Sequence, residues 1–200
     1  MAAPTNVATQ ILGYRNLSNG QGIQPLRNLP EQSGQTFLQG TPVQVSGTGF
    51  IQACATITSA ATAIIAGMST VAGANLTTSG TAQTQNLTNK VPNQPNAVIT
   101  PIGAPPNDGT TQFLQCPDVQ SFIGTLSNGS SGTHTLAQTD LGAIYGLTKD
   151  TGNSFWYVDA NITTTAGGAC VEVIGFVDPI GTVNGRVEFK VTKAAQQLLV

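Results

Sequence analysis

Residues 140–192 read DLGAIYGLTKDTGNSFWYVDANITTTAGGACVEVIGFVDPIGTVNGRVEFKVT, and this stretch decides the fold. It holds the only Trp, two of the three Tyr and nine of the sixteen Asp, Glu, Lys and Arg residues, so it has the most to bury and the most to pair. Its clearest local signal is Val183-Asn184-Gly185-Arg186, followed by Val187, Phe189 and Val191 alternating with Glu188 and Lys190. Asn-Gly tolerates the positive φ values of a type I′ turn, whose twist suits a two-residue hairpin. An apolar/polar alternation of period two is the pattern of a half-buried strand. The spacing therefore predicts a hairpin of residues 180–183 and 186–192. Val187, Phe189 and Val191 face inward in it, and Arg186, Glu188 and Lys190 face outward. Upstream, residues 141–148 and 154–159 read as strands around a turn at 149–153. Residues 171–177 read as another strand, stopped by Asp178-Pro179.

The rest of the chain continues in the same style. Residues 1–34 show no sustained period and are expected to form an extended arm of coil, with at most a turn of helix. Its charges are Arg15, Arg27 and Glu31. Residues 35–57 predict a first hairpin turning at Ser46-Gly47-Thr48-Gly49. Residues 64–71 read as a strand rather than a helix, because Gly67, Ser69 and Thr70 interrupt any helical face. Residues 75–109 are rich in Pro, Thr and Asn and predict a long irregular loop with one short strand at 97–100. Strands follow at 111–115 and 119–124, a turn or loop at 127–132, and a tail at 194–200 with one helical turn. Strands spaced by turn signals, with no convincing long helix, predict an all-β fold. The expectation is a single β-barrel or β-sandwich, jelly-roll-like, over residues 35–200, preceded by the arm and carrying long irregular loops.

Bulk composition narrows the function classes. Charged residues are 8% of the chain, against about 25% in a typical soluble domain. Charge normally keeps surfaces apart, so a neutral surface rich in Thr, Asn and Gln suits an assembled or extracellular structure. Seven basic residues and a net charge of −2 offer no electrostatic footprint for nucleic acid. No apolar run is long enough to span a membrane. The N-terminal residues show no charged region followed by an apolar core, so no Sec signal is expected. Cys54, Cys116 and Cys170 are odd in number and far apart, which favours small buried thiols over a disulfide framework.

Candidate chemistry is sparse. His134 is the single His and reads as a surface residue in a loop, with no nucleophile motif beside it. Asp150-Thr151-Gly152-Asn153 lacks the further ligands of a Ca²⁺ loop and reads as an Asx turn. No carboxylate pair, phosphate loop or Cys/His cluster stands out. No catalytic residue, metal or cofactor is expected. Phe155-Trp156-Tyr157 is the strongest candidate for partner contact. Neighbours on a strand face opposite ways, so the trio asks for cover on both sides, from the core or from another subunit.

The runs 140–150, Trp156-Tyr157-Val158-Asp159, Val173-Ile174-Gly175-Phe176-Val177-Asp178-Pro179 and Asn184-Gly185-Arg186-Val187-Glu188-Phe189-Lys190 resemble the C-terminal half of the head decoration, or cement, proteins of tailed bacteriophages. Pro105-Pro106-Asn107-Asp108-Gly109 and Phe122-Ile123-Gly124 look similar to an upstream part of that pattern. The resemblance covers about residues 104–193. It implies a non-enzymatic, β-rich virion protein made in the host cytoplasm and carried on the outer capsid surface. It implies the phage major capsid protein as partner and a homo-oligomer, with a trimer favoured. Neither nucleic acid nor membrane is an expected partner. Candidate subunit contacts are Tyr14, Arg15 and Arg27 on the arm and Phe155, Trp156 and Tyr157 on the body. A tail or fibre component and a carbohydrate-binding β-sandwich module are the alternatives.

Overall fold

The computed structural model describes residues 10–17, 26–32, 35, 37–55, 64–70, 110–115, 119–150, 152, 154–163 and 168–197. Eleven strands make up the described regular structure, apart from two single 3₁₀ turns at Gln138–Asp140 and Lys193–Ala195. They are β1 (Leu12–Asn16), β2 (Leu26–Pro30), β3 (Pro42–Val45), β4 (Ile51–Ala53), β5 (Gly67–Ser69), β6 (Thr110–Gln115), β7 (Gln120–Ser127), β8 (Ile144–Lys149), β9 (Trp156–Thr163), β10 (Val171–Phe176) and β11 (Arg186–Val191).

Strands β7, β11, β10, β8 and β9 form a sheet in that order, and β9 returns to pair with β7. The sheet thus closes into a five-stranded barrel, with β1 added outside the closure on β7. The closing pair is parallel, with Leu126 opposite Val158 and Ser127 opposite Asp159, while the other four pairs are antiparallel. Alternation fills the inside. Phe122 and Leu126 from β7, Leu147 from β8, Trp156 and Val158 from β9, Val171 and Val173 from β10, and Val187, Phe189 and Val191 from β11 are all buried in one cluster. Phe122 and Phe189 pack with ring centroids 5.9 Å apart. Gly146 is a tight point of the wall, since a Cβ there would lie 2.6 Å from Ile162. The fold is therefore all-β with a barrel.

A second sheet runs β2-β6-β5-β3-β4. Its smaller core is Phe37, Val43, Ile51, Ala66 and Phe113. The segment leading into β5 packs against both cores: Ile65 and Met68 join the barrel cluster, whereas Ala66 joins the smaller one. The C-terminal segment fastens the two sheets. Ile65 donates to Ala195 O and Gln197 donates to Ile65 O. The Gln197 side chain then accepts from Val45 N (2.6 Å) and donates to Val45 O (2.9 Å), serving β3 as a neighbouring strand would.

Three expectations need correction. Coil was expected for the arm, but its described residues include two strands, β1 on β7 and β2 on β6. The tertiary partner supplies what local period does not show. The Asn184-Gly185 hairpin does not form either. The partner of β11 is β10, joined by a connection over residues 177–185. Asn184 has φ +49°, yet Gly185 does not take a positive φ. The connection closes wider because the Asp178 carboxylate holds Arg186 at its backbone N (2.7 Å), Nε and Nη2, while Val177 and Asp178 donate to Arg186 O. Glu188, expected to face water, is buried beneath Arg15. The Ser46 turn and the Asx turn at Asp150 form as read, the latter through Gly152 N to Asp150 Oδ2 at 3.1 Å. The 75–109 loop, its 97–100 strand and Cys116 lie outside the described residues.

Candidate functional site

The densest polar constellation sits where three connections meet at one end of the barrel. The first follows β7, over residues 128–134. The second is the 3₁₀ turn Gln138–Asp140 ahead of β8. The third is the connection 177–185. Leu136 N donates to Thr182 O, Gly181 N to Leu136 O and Leu126 N to Gly185 O, so the backbone already braids them. Gly185 lies against Leu136, where a Cβ would come within 2.6 Å of its Cδ1. Close approach, rather than a turn, is what this position asks of glycine.

Asp140 is the hub. Its carboxylate accepts from His134 Nε2 at 2.9 and 3.0 Å, from the Tyr145 hydroxyl at 2.7 Å and from Ala137 N at 2.8 Å. His134 Nδ1 lies 3.3 Å from Asn128 Oδ1, and Asn128 Nδ2 donates to Thr133 O at 2.9 Å. The His134 backbone is held from the other side: its N donates to Asn184 Oδ1 at 2.8 Å and its O accepts from Asn184 N at 2.7 Å. Burial pushes the Asp140 carboxyl up, but the donors from Ala137, His134 and Tyr145 outweigh it and hold it below the usual carboxylate range. Burial, then Asp140 itself, pushes the Tyr145 phenol well up.

This arrangement orders loops. Both His134 ring nitrogens face acceptors, one on Asp140 and one on Asn128, so neither is turned toward a hydroxyl or thiol whose proton it would take. The expectation of a surface His is corrected. The side chain is 18% exposed and tied at both nitrogens. Asp140 and Tyr145 stand six and eleven residues on in the chain, and nothing in their local sequence announces that a 3₁₀ turn brings them together. Among the described residues, no group of three or more His, Cys, Asp or Glu is placed to hold a metal. Cys170 is fully buried and its thiol is pushed up to about 12 by burial, which makes it inert.

The expected contact residues divide into two sets. Trp156 is inside the barrel. Tyr157 takes the opposite face but is also buried, with its hydroxyl on Asp159 Oδ2 at 3.3 Å. Burial and then Asp159 push its phenol up, to about 12 overall. Phe155 is half-buried and its O accepts from Asp150 N. The chain's own elements therefore cover both faces of Trp156-Tyr157. The arm residues are the exposed set. Tyr14 is exposed, and Arg15 stacks on its ring at 5.5 Å. Arg15 also reaches across β7 to Glu188 in a two-pronged pair at 2.7 Å each. Arg27 Nε donates to Gln115 Oε1 at 3.0 Å.

Exposed apolar residues gather on the same segment. Leu12, Tyr14, Leu17 and Leu26 are four of the nine large hydrophobics exposed among the described residues. They belong to or flank β1 and β2, which stand at the ends of the two strand orders. No helix among the described residues is long and apolar enough to cross a membrane. No protein-family model matches the chain, and no curated protein matches it.

Proposed function

We propose that the chain is a structural cement protein that binds the outer surface of a phage capsid and bridges its major capsid subunits. The observation that carries this reading is the N-terminal segment. It adds one terminal strand to each sheet and leaves Leu12, Tyr14, Leu17 and Leu26 exposed along it. Terminal strands with apolar neighbours are surfaces that assemblies cover. The low charge of the chain and its resemblance to head decoration proteins over residues 104–193 support the same reading. In it, the barrel is a rigid peg and the N-terminal segment is the contact. Many copies act together by multivalency, so each contact need only be weak. The carbohydrate-module alternative has less to stand on, because sugar stacking uses several exposed aromatics. Tyr14 is the one exposed aromatic among the described residues.

The test is co-sedimentation of purified protein with empty shells of its own phage, beside Leu12→Ser/Tyr14→Ser. The wild type is expected to saturate at a copy number tied to capsid symmetry. The double variant should keep its melting temperature and lose at least tenfold in apparent affinity. Wild-type protein that fails to sediment with shells, or that appears in particles only at the tail, overturns the reading.

A further inference from the structure

We propose that His134 is a proton-gated latch on the Asn128 side chain at the head of the loop 128–133, which it grips only when both ring nitrogens carry protons. Nε2 faces the two carboxylate oxygens of Asp140, which can only accept. Nδ1 faces the carbonyl oxygen of the Asn128 side chain. That amide is not free to turn over, because its Nδ2 donates to Thr133 O and a flipped amide would set oxygen against oxygen. A neutral imidazole carries one N–H, so it satisfies one of these two acceptors, and the imidazolium satisfies both.

The two grips are unequal. A hydrogen bond to a charged carboxylate is about twice as strong as one to a neutral amide. When the ring loses a proton, the Nε2 proton therefore stays on Asp140. The bare Nδ1 is then left 3.3 Å from the Asn128 oxygen, lone pair to lone pair. The His134 backbone is pinned to Asn184 on both sides, and Ser127 Oγ and Asn184 Nδ2 hold the loop at Gly129 O and Gly132 O, so the Asn128 side chain is what yields. The surroundings of the ring leave Asp140 as its charged neighbour. Tyr145 from β8 meets it edge-on at 6.5 Å with its hydroxyl spent on Asp140. The 177–185 connection presents the uncharged Asn184, and its ionic group Asp178 pairs with Arg186 at the start of β11. The ring keeps contact with water at 18% exposure, so protons can come and go.

One histidine in the chain makes the test clean, since its ring signals need no assignment. Ring ¹⁵N–¹H spectra of labelled protein are recorded across the histidine range, about pH 5 to 8. Exchange of the Asn128 side-chain amide with solvent is followed in parallel, taken as a ratio to exposed Gln138 to cancel base catalysis. The expected neutral ring is the Nε2–H form. As it appears, the Asn128 exchange ratio should rise about fivefold, the weight of one net hydrogen bond. Asn128→Ala should leave the ring on Asp140 with Nε2 protonated in the neutral form. If that variant fails to fold, the wild-type titration still decides. A neutral ring protonated at Nδ1, or an exchange ratio that ignores the ring titration, overturns the proposal.

Discussion

At the scale of the residue, Asp140 is the most heavily used side chain at the loop end of the barrel. It satisfies a backbone N–H, a phenol and an imidazole at once, and all three are donors. Asp140→Asn keeps the shape, removes the charge and replaces one of the two acceptor oxygens with an N–H donor, so three donors are left with one oxygen. The expected cost is about 2 kcal/mol, the size of a hydrogen bond to a charged group. For a chain of this length that is a fall of about 4–8 °C in melting temperature. The pH dependence has a definite sign. The folded-state carboxyl lies below its ordinary range, so its contribution is present above about pH 4, the ordinary carboxylate value, and is lost as pH falls through the folded value. Thermal melts at pH 6 and pH 3 should show a smaller acid loss in Asp140→Asn than in the wild type. Equal acid losses would show that the carboxylate is not held as described. Little of this site was legible beforehand. His134 and Asp140 are visible as residue types, but their meeting depends on a 3₁₀ turn with no helical period. Asn184 stood inside a dipeptide whose turn propensity pointed to another role.

At the scale of the element, strand reading succeeded where both faces of the pattern were set by one chain segment. β10, β11 and the inward set Val187, Phe189 and Val191 follow directly from alternation. It failed where a distant segment covers the outer face. Glu188 alternates as an outward residue should, yet β1 arrives from the other end of the chain and lays Arg15 over it. The consequence is testable. Glu188 is 5% exposed and Arg15 is 46% exposed, so the buried partner carries the penalty when the pair is broken. Arg15→Ala should lower the melting temperature and speed amide exchange in β1 more than in β10 or β11. Arg15→Met combined with Glu188→Leu should recover most of that loss, because no charge is left stranded. If the double variant is as unstable as the single one, stem packing of Arg15 rather than charge pairing holds β1 in place.

At the scale of the whole molecule, the two sheets carry unequal cores. Seventeen buried residues form the barrel cluster and five form the other among the described residues, which predicts two tiers of stability rather than one. The shared elements set the direction of coupling. Ile65, Met68 and Cys54 come from the second sheet or its flanks but pack in the barrel cluster, and Ala195 there is tied to Ile65. The smaller sheet thus leans on the barrel, while the barrel closes through β7 and β9 without it. Phe113→Ala and Phe122→Ala remove equal side chains from fully buried sites, one in each core. Each should cost about 3–5 kcal/mol if its whole sheet cooperates. Their distribution should differ. Phe113→Ala should raise amide exchange across β2, β3, β5 and β6 while amides of β7, β10 and β11 keep their protection. Phe122→Ala should raise exchange in both sheets, because loosening the barrel removes the floor under Ile65 and Met68. Hydrogen exchange read by mass spectrometry separates these outcomes. Uniform acceleration in Phe113→Ala would mean a single cooperative unit, and the barrel would then owe its order to the second sheet as much as to its own closure.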